Sequence, residues 1–350
     1  MIRLTMLPAQ DGDCLLLEYG DNARTRRILI DGGRAGTYPD IAPTLNTLAR
    51  ENNRLDLLVV THVDQDHILG VLGLFNDGAR PIGFDDVWFN GYDQLVDSEF
   101  ESFGPIDGEL LTSALLNQQI PWNRAFKGKA VELGRPFEWF DDDSAIALLS
   151  PDRAQLSDLI ETWERECSRE GLIPGRNPEE PPPRGFEAFG RIDIEALAGS
   201  RFEADTSKTN RTSIGFLFEY DDVRLMFTGD GDDHRLVDSV RPLAEAEGGR
   251  LRLDALKVSH HGSRKNLSKD LLDLIDCKRY LISTNGKRHG HPDPVAIARI
   301  LKYGGPQKEL VFNYRSRAAL WDLDGWRDTY HYSVAQPQPE QDGFMILNQW

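Results

Sequence analysis

Apolar residues in the first third of the chain fall in short runs divided by polar turn residues. Residues 3–7, 14–19 and 27–30 have strand length. The turn Gln10-Asp11-Gly12-Asp13 and the loop Gly20-Asp21-Asn22 separate them, so three strands are predicted. The period then changes. Ile41, Leu45 and Leu48 share one helix face and predict a helix over 40–52. A strand at 55–61 follows, then a helix over 66–75 carried by Leu69 and Leu72. Further strands are predicted at 85–90 and 145–149, and helices at 109–119 and 154–170. Prolines 174, 178 and 181–183 break any regular element, so 173–190 reads as a long loop or insertion. Strands resume at 213–220 and 224–228, followed by a helix at 232–247 and a strand at 253–259. The same alternation continues through 267–275, 279–283, 294–303 and 310–313, with last strands at 329–333 and 344–348. Strand and helix signals alternate in both halves, which predicts an α/β fold.

The polar residues that end these strands carry the chemistry. After the apolar run 55–60 come Thr61-His62-Val63-Asp64-Gln65-Asp66-His67, with four potential metal ligands within six residues. Imidazole nitrogens and carboxylate oxygens bind divalent zinc, manganese or iron. A solvated turn would account for the aspartates but not for a histidine at each end. Ile30-Asp31-Gly32-Gly33 and Thr228-Gly229-Asp230-Gly231 each end a strand with a carboxylate beside glycine. Glycine lets backbone pass close to an ion or substrate. Val258-Ser259-His260-His261-Gly262-Ser263 ends another strand with two adjacent histidines. Neighbours on a strand point to opposite faces, so one is expected to ligate and the other to meet substrate. His289-Gly290-His291-Pro292 reads either as substrate-facing or as a surface turn.

Composition narrows the classes. The chain has 350 residues and a net charge of −17. That charge disfavours bulk electrostatic binding to nucleic acid or an anionic membrane. Residues 81–123 hold no Lys or Arg but carry Asp85, Asp86, Asp93, Asp97, Glu99, Glu101, Asp107 and Glu109. Residues 260–291 carry Arg264, Lys265, Lys269, Lys278, Arg279, Lys287 and Arg288, a basic rim suited to a small anion or else a solvated face. Three scattered cysteines (Cys14, Cys167, Cys277) argue against a disulfide framework and for a reducing compartment. The first nine residues lack a secretion signal, and no apolar run is long enough to span a membrane. A cytoplasmic location without membrane association is therefore expected.

Taken in order, these motifs resemble the metallo-β-lactamase-fold hydrolase superfamily over residues 1–303. The boxes at 61–67 and 257–263 are similar to the hydrolase domain of ComEC-type DNA-uptake proteins. The resemblance implies a four-layer αββα sandwich as a single domain over 1–350. Insertions would lie at about 81–130 and 173–205, with a C-terminal extension at about 304–350. It implies one or two divalent ions, Zn2+ or Mn2+, held by His62, Asp64, Asp66, His67, Asp230 and His261. Asp230 would bridge two ions. The superfamily's usual box has His where Asp64 stands, and a further His before the bridging aspartate. Here no His lies between His67 and His234. Asn210 is the candidate to fill that gap. Asp31 would orient a ligand histidine, while Ser263 and His291 would support ligands or substrate.

The implied activity is hydrolysis by a metal-activated hydroxide, with Asp66 in the catalytic centre and His260 as proton donor or phosphate contact. A phosphodiester or related phosphate ester is the expected substrate, and a small anion suits the charge better than polymeric nucleic acid. A lactone, thioester or amide is the alternative. A non-catalytic binding or regulatory module with a degenerate metal site is the other.

Overall fold

The computed structural model describes residues 1–21, 24–96, 106–170 and 192–350. The proline-rich stretch 173–190 lies outside the described residues, as do Asn22, Asp97, Glu99 and Glu101. Alternation along the strands decides the layers. In the first sheet, Leu15, Leu17, Ile28, Ile30, Leu57 and Val59 point inward, against Phe216, Phe218, Leu225, Phe227, Ala255 and Leu281 of a second sheet. The intervening Leu16, Leu29 and Leu58 point outward, under helices Tyr38–Glu51 and Gln65–Asn76. On the far side, Met226 and Leu256 pack under helices Asp233–Ala246 and Pro294–Tyr303. The result is helix, sheet, sheet, helix: the αββα sandwich.

The first sheet runs in the order Met345–Leu347, Ile2–Met6, Leu15–Gly20, Thr25–Ile30, Leu57–Val59, Val87–Trp88. Its last three strands are parallel. The second runs Tyr332–Ala335, Lys308–Phe312, Ile275–Ile282, Leu251–Lys257, Val223–Phe227, Gly215–Tyr220, Ser144–Ser150, and its first five strands are parallel. Parallel strands end on a common edge. That topology gathers Asp31, the 61–67 box, Asp230 and the His260–His261 pair. Hydrogen bonds tie the two sheets there, from Ile214 N to Thr61 O at 2.9 Å and from Ser283 Oγ to Gly12 O at 2.8 Å.

Some elements depart from the sequence pattern. The strand predicted at 329–333 begins only at Tyr332, because helix Asp324–Tyr330 occupies the preceding residues. The apolar run there is too short for its period to separate helix from strand. The helix predicted over 267–275 shrinks to Lys269–Asp273, capped by Ser268, because Ile275 is already paired with Leu251. The strand predicted at 85–90 shrinks to Val87–Trp88, since Asp86 turns its carboxylate to the backbone N–H groups of Val87, Arg124 and Ala125. Among the described residues, no helix is long and apolar enough to cross a membrane.

Candidate metal centre

The box is built by a strand running into a helix. Leu57–Val59 delivers Thr61 and His62 to the sheet edge, and Asp64 stands at the start of helix Gln65–Asn76. Asp66 and His67 occupy its first turn, where backbone N–H groups favour negative charge. The Asp31-Gly32-Gly33 turn lies against that turn. Gly32 N donates to His67 O at 2.9 Å and Gly70 N to Gly33 O at 2.8 Å. A side chain at Gly70 would meet Gly32 O at 1.8 Å, so the contact requires glycine. The glycines beside Asp31 therefore serve a helix contact.

Each imidazole is held through Nδ1, which aims Nε2 inward. His67 Nδ1 donates to Asp31 Oδ2 at 2.8 Å. Thr61 Oγ1 donates to Asp31 and thereby accepts from His62 Nδ1 at 3.0 Å. His261 Nδ1 donates to the carbonyl of Ser283 at 2.9 Å. Asn266 Oδ1 and Asp205 Oδ2 face His260 Nδ1 at 3.0 and 3.2 Å. The freed nitrogens converge on carboxylates. His67 Nε2 is 3.3 Å from Asp230 Oδ1, and His261 Nε2 is 3.4 Å from Asp66 Oδ2 and 3.6 Å from Asp230 Oδ1.

The donor atoms of Asp66, His67, Asp230 and His261 all lie within 4.8 Å of one another. Nε2 of His62, His67 and His261, with Asp230 Oδ1, are buried and have no hydrogen-bond partner. Buried polar atoms without partners are costly. Four of them aimed inward from oriented side chains suit a divalent cation, and nitrogen with carboxylate oxygen is a fitting donor set for zinc or manganese. Asp13, Asp31 and His67 form a second cluster of potential donors. Its carboxylates are already engaged, Asp13 by Lys257 and Asp31 by Thr61 and His67.

Charge in the site follows the same plan. Burial pushes His62 down to about 4, and the neighbouring His67 adds to it, so His62 is neutral. Burial also opposes charge on His67 and His261, but Asp230 with Asp31, and Asp230 with Asp13, raise them, His261 to about 10. Asp230 is held low against its burial by His260, His261 and His67. Asp66 is held low against its burial by His261 and His67. Burial would likewise raise Asp13, yet Lys257 at 2.6 Å and His261 hold it down to about 2. Burial and the neighbouring Asp66 raise Asp64.

The remaining candidates separate. Asp64 Oδ2 lies 3.8 Å from His62 Nε2. Asn210 donates through Nδ2 to Asp205 Oδ2 at 2.7 Å, and the same Nδ2 stands 3.4 Å from His260 Nδ1. The His291 ring lies 5.4 Å from that of His260. Ser263 Oγ accepts from Lys265 N at 3.3 Å in the turn after the histidine pair. The expectation that His260 and His261 point to opposite faces fails. The strand ends at Lys257, and both residues adopt left-handed backbone, at φ 49° and 53°. Both rings consequently reach Asp230, His260 Nε2 at 3.6 Å from Oδ2. The basic rim also disperses. Lys269 pairs with Asp273, Lys278 with Asp254 and Arg279 with Glu309.

Sequence reasoning missed Asp13, Thr61, Asp205, Ser213, Asn266 and the Arg34–Asp11 pair, which stands beside Asp66. One signal was present. Lys257 interrupts an apolar strand, and a lysine there needs a buried acid.

The structure is an αββα sandwich with a cluster of potential metal donors at one sheet edge. Residues 8–83 match the family model of the Metallo-beta-lactamase superfamily. No curated protein sequence matches the chain. Among solved structures, it is similar to the metallo-beta-lactamase fold protein YhfI from Bacillus subtilis at 12% identity and a TM-score of 0.42, over 99% of both chains. Zn(2+)-bound PqqB from Methylobacterium extorquens is similar at 10% identity and a TM-score of 0.40, over 99% of this chain and 100% of that one. Likenesses this distant carry no argument about substrate.

Proposed function

We propose that the protein is a metal-dependent hydrolase of a phosphodiester or related phosphate ester. One observation carries the metal reading: donor atoms of Asp66, His67, Asp230 and His261 cluster at the sheet edge, and the buried Nε2 atoms of His67 and His261 and Oδ1 of Asp230 have no hydrogen-bond partner. His62, Asp64, Asp66, His67, Asp230 and His261 are the proposed ligands. A divalent ion there supplies Lewis acidity and lowers the pKa of water into the neutral range.

The chain's own groups do the rest. Asp31, Thr61 and the Ser283 carbonyl fix the tautomers of His67, His62 and His261. The buried Lys257–Asp13 pair backs His261 from behind. His291 is neutral because burial, then the charge of His260, lowers it; its buried Nδ1 has no hydrogen-bond partner and suits contact with a substrate oxygen. The carboxylate-containing donor set, with the His260, His289 and His291 rings packed in series beside it, supports a phosphate ester as substrate. The narrower likeness to ComEC-type hydrolase domains rests on the boxes at 61–67 and 257–263 and points the same way.

The test is hydrolysis of bis-p-nitrophenyl phosphate by protein loaded separately with manganese and zinc. Metal-dependent turnover is expected, and it should vanish in the Asp66→Ala/His67→Ala double variant. Full metal occupancy without turnover would move the assignment to a lactone, thioester or amide. Absence of bound metal would leave a non-catalytic module.

A further inference from the structure

We propose a second binding site, at the end of the sandwich opposite the metal centre, that takes a nucleoside monophosphate: the base against Trp139 and Phe140, the phosphate on Arg24 and Arg124. A cavity of about 370 Å³ lies there, lined by Arg24, Arg26, Trp88, Arg124, Trp139 and Phe140 together with four acids. Arg24, Arg26, Asp56 and Leu57 stand where strands Thr25–Ile30 and Leu57–Val59 begin, whereas Asp31, Thr61 and His62 stand beyond their ends. The two strands are parallel, so the cavity and the metal centre occupy opposite edges of the sheet.

Charge sets the sign of the ligand. Each of the four acids is engaged. Asp56 pairs with Arg26 at 2.9 Å, Asp85 with Arg54, and Glu138 with Lys127 at 3.5 Å. Asp86 accepts from the backbone N–H groups of Val87, Arg124 and Ala125 at 3.0, 2.9 and 3.0 Å, and from Trp88 Nε1 at 3.2 Å. Among the described residues, the guanidinium groups of Arg24 and Arg124 have neither an ion pair nor a hydrogen-bond partner. The chain's net charge is −17, so that lack is local and not a shortage of acids. Both arginines are anchored at the backbone, Arg24 N to Asp21 Oδ1 at 2.8 Å and Arg124 N to Asp86. Two uncommitted guanidinium groups match the double charge of a phosphate monoester, whose oxygens they bind in pairs.

Shape sets the other half of the ligand. The Trp139 ring centre lies 4.2 Å from that of Phe140 and 5.9 Å from that of Trp88, so three aromatic rings form one continuous wall. Trp139 Nε1 donates to Ser144 Oγ at 2.9 Å, which fixes the indole plane. Phe140 is 38% exposed at the end of that wall, with the Arg26 guanidinium 5.2 Å from its ring centre. Aromatic faces accept any flat base by stacking, while the arginines read the phosphate attached to it. The volume falls in the range of roughly 300–1,000 Å³ typical of small-molecule pockets. The sequence pattern agrees: residues 81–123 carry no Lys or Arg, and the first cation after them, Arg124, comes to this cavity.

Calorimetric titration of the full-length chain with AMP tests this. It is run on chelated protein and on the Asp66→Ala/His67→Ala variant, so that the metal centre takes no part. One AMP per chain is expected in both, with equal affinity. Arg24→Ala and Arg124→Ala should each weaken AMP by about tenfold or more. Phe140→Ala should weaken it by about tenfold. Lys287→Ala, outside the cavity, should leave it unchanged, and circular dichroism checks that each variant is folded. Adenosine and inorganic phosphate should each bind more weakly than AMP. No binding of AMP at millimolar concentration overturns the proposal. So does an affinity unmoved by both arginine variants, or binding lost in the Asp66→Ala/His67→Ala variant, which would put the nucleotide in the metal centre. Inorganic phosphate that binds as tightly as AMP overturns it too, since the ring would then contribute nothing. None of these results decides the metal-centre reading, which stands or falls on metal content.

Discussion

The two sides of Asp230 are built to different standards. On the Oδ1 side, His67 and His261 are buried, and their rings are tied to Asp31 and to Ser283 O, with the Lys257–Asp13 ion pair sealed behind. Facing Oδ2, His260 is 24% exposed, and Asp64 beside His62 is 37% exposed. A buried, oriented donor set loses little freedom on binding an ion, while an exposed carboxylate must be ordered and stripped of water. The comparison teaches that the Oδ1 side of Asp230 is preorganised, while the groups on its other side are looser and nearer to water.

The largest effect should come from the carboxylate that joins the two sides. Asp230→Ala is expected to cost about a thousandfold or more in turnover, since it removes a donor from both. Retained turnover, measured with the chromogenic diester, would break the comparison at its centre. Next comes the wall behind the tight side. Lys257→Met leaves Asp13 buried without its cation, which should cost about 3–5 kcal/mol of stability in urea unfolding. An unchanged midpoint would mean that the pair anchors nothing.

Asp31→Asn sharpens the contrast. Asparagine accepts the left-handed backbone at this position, so the fold should survive. Manganese affinity should weaken by about 10–100-fold in a calorimetric titration. An unchanged affinity would show that the Asp31–His67 bond does not orient the site. The smallest effect is expected far from the cleft. Lys278→Ala and Arg279→Ala break partly exposed pairs with Asp254 and Glu309 and should cost at most about 1 kcal/mol. KM should not move; a clear rise would revive the idea of a basic rim guiding an anion.

The tight side was largely legible in the sequence, the soft side only in part. His62, Asp64, Asp66 and His67 declare themselves by density, and Asp31 and Asp230 by ending apolar runs beside glycine. The layers were legible because Leu15 to Leu17 and Ile28 to Ile30 alternate between two cores. Asp13 and Asp205 were not, because single carboxylates in polar turns look alike until folding brings Lys257 or His260 to them. The setting of the His260–His261 pair was not legible for a backbone reason: the strand stops at Lys257, and left-handed residues follow. Strand ends shift by a residue or two under such local geometry, and at a site that shift changes which atom a side chain meets.

The most direct test is the metal content of purified protein after expression with manganese and zinc, read by elemental analysis beside the Asp230→Ala variant. At least one ion per chain in the wild type and almost none in the variant is the expected result. A wild type that emerges essentially metal-free, while folded, would contradict the central claim that the unpartnered nitrogens around Asp230 are a metal centre.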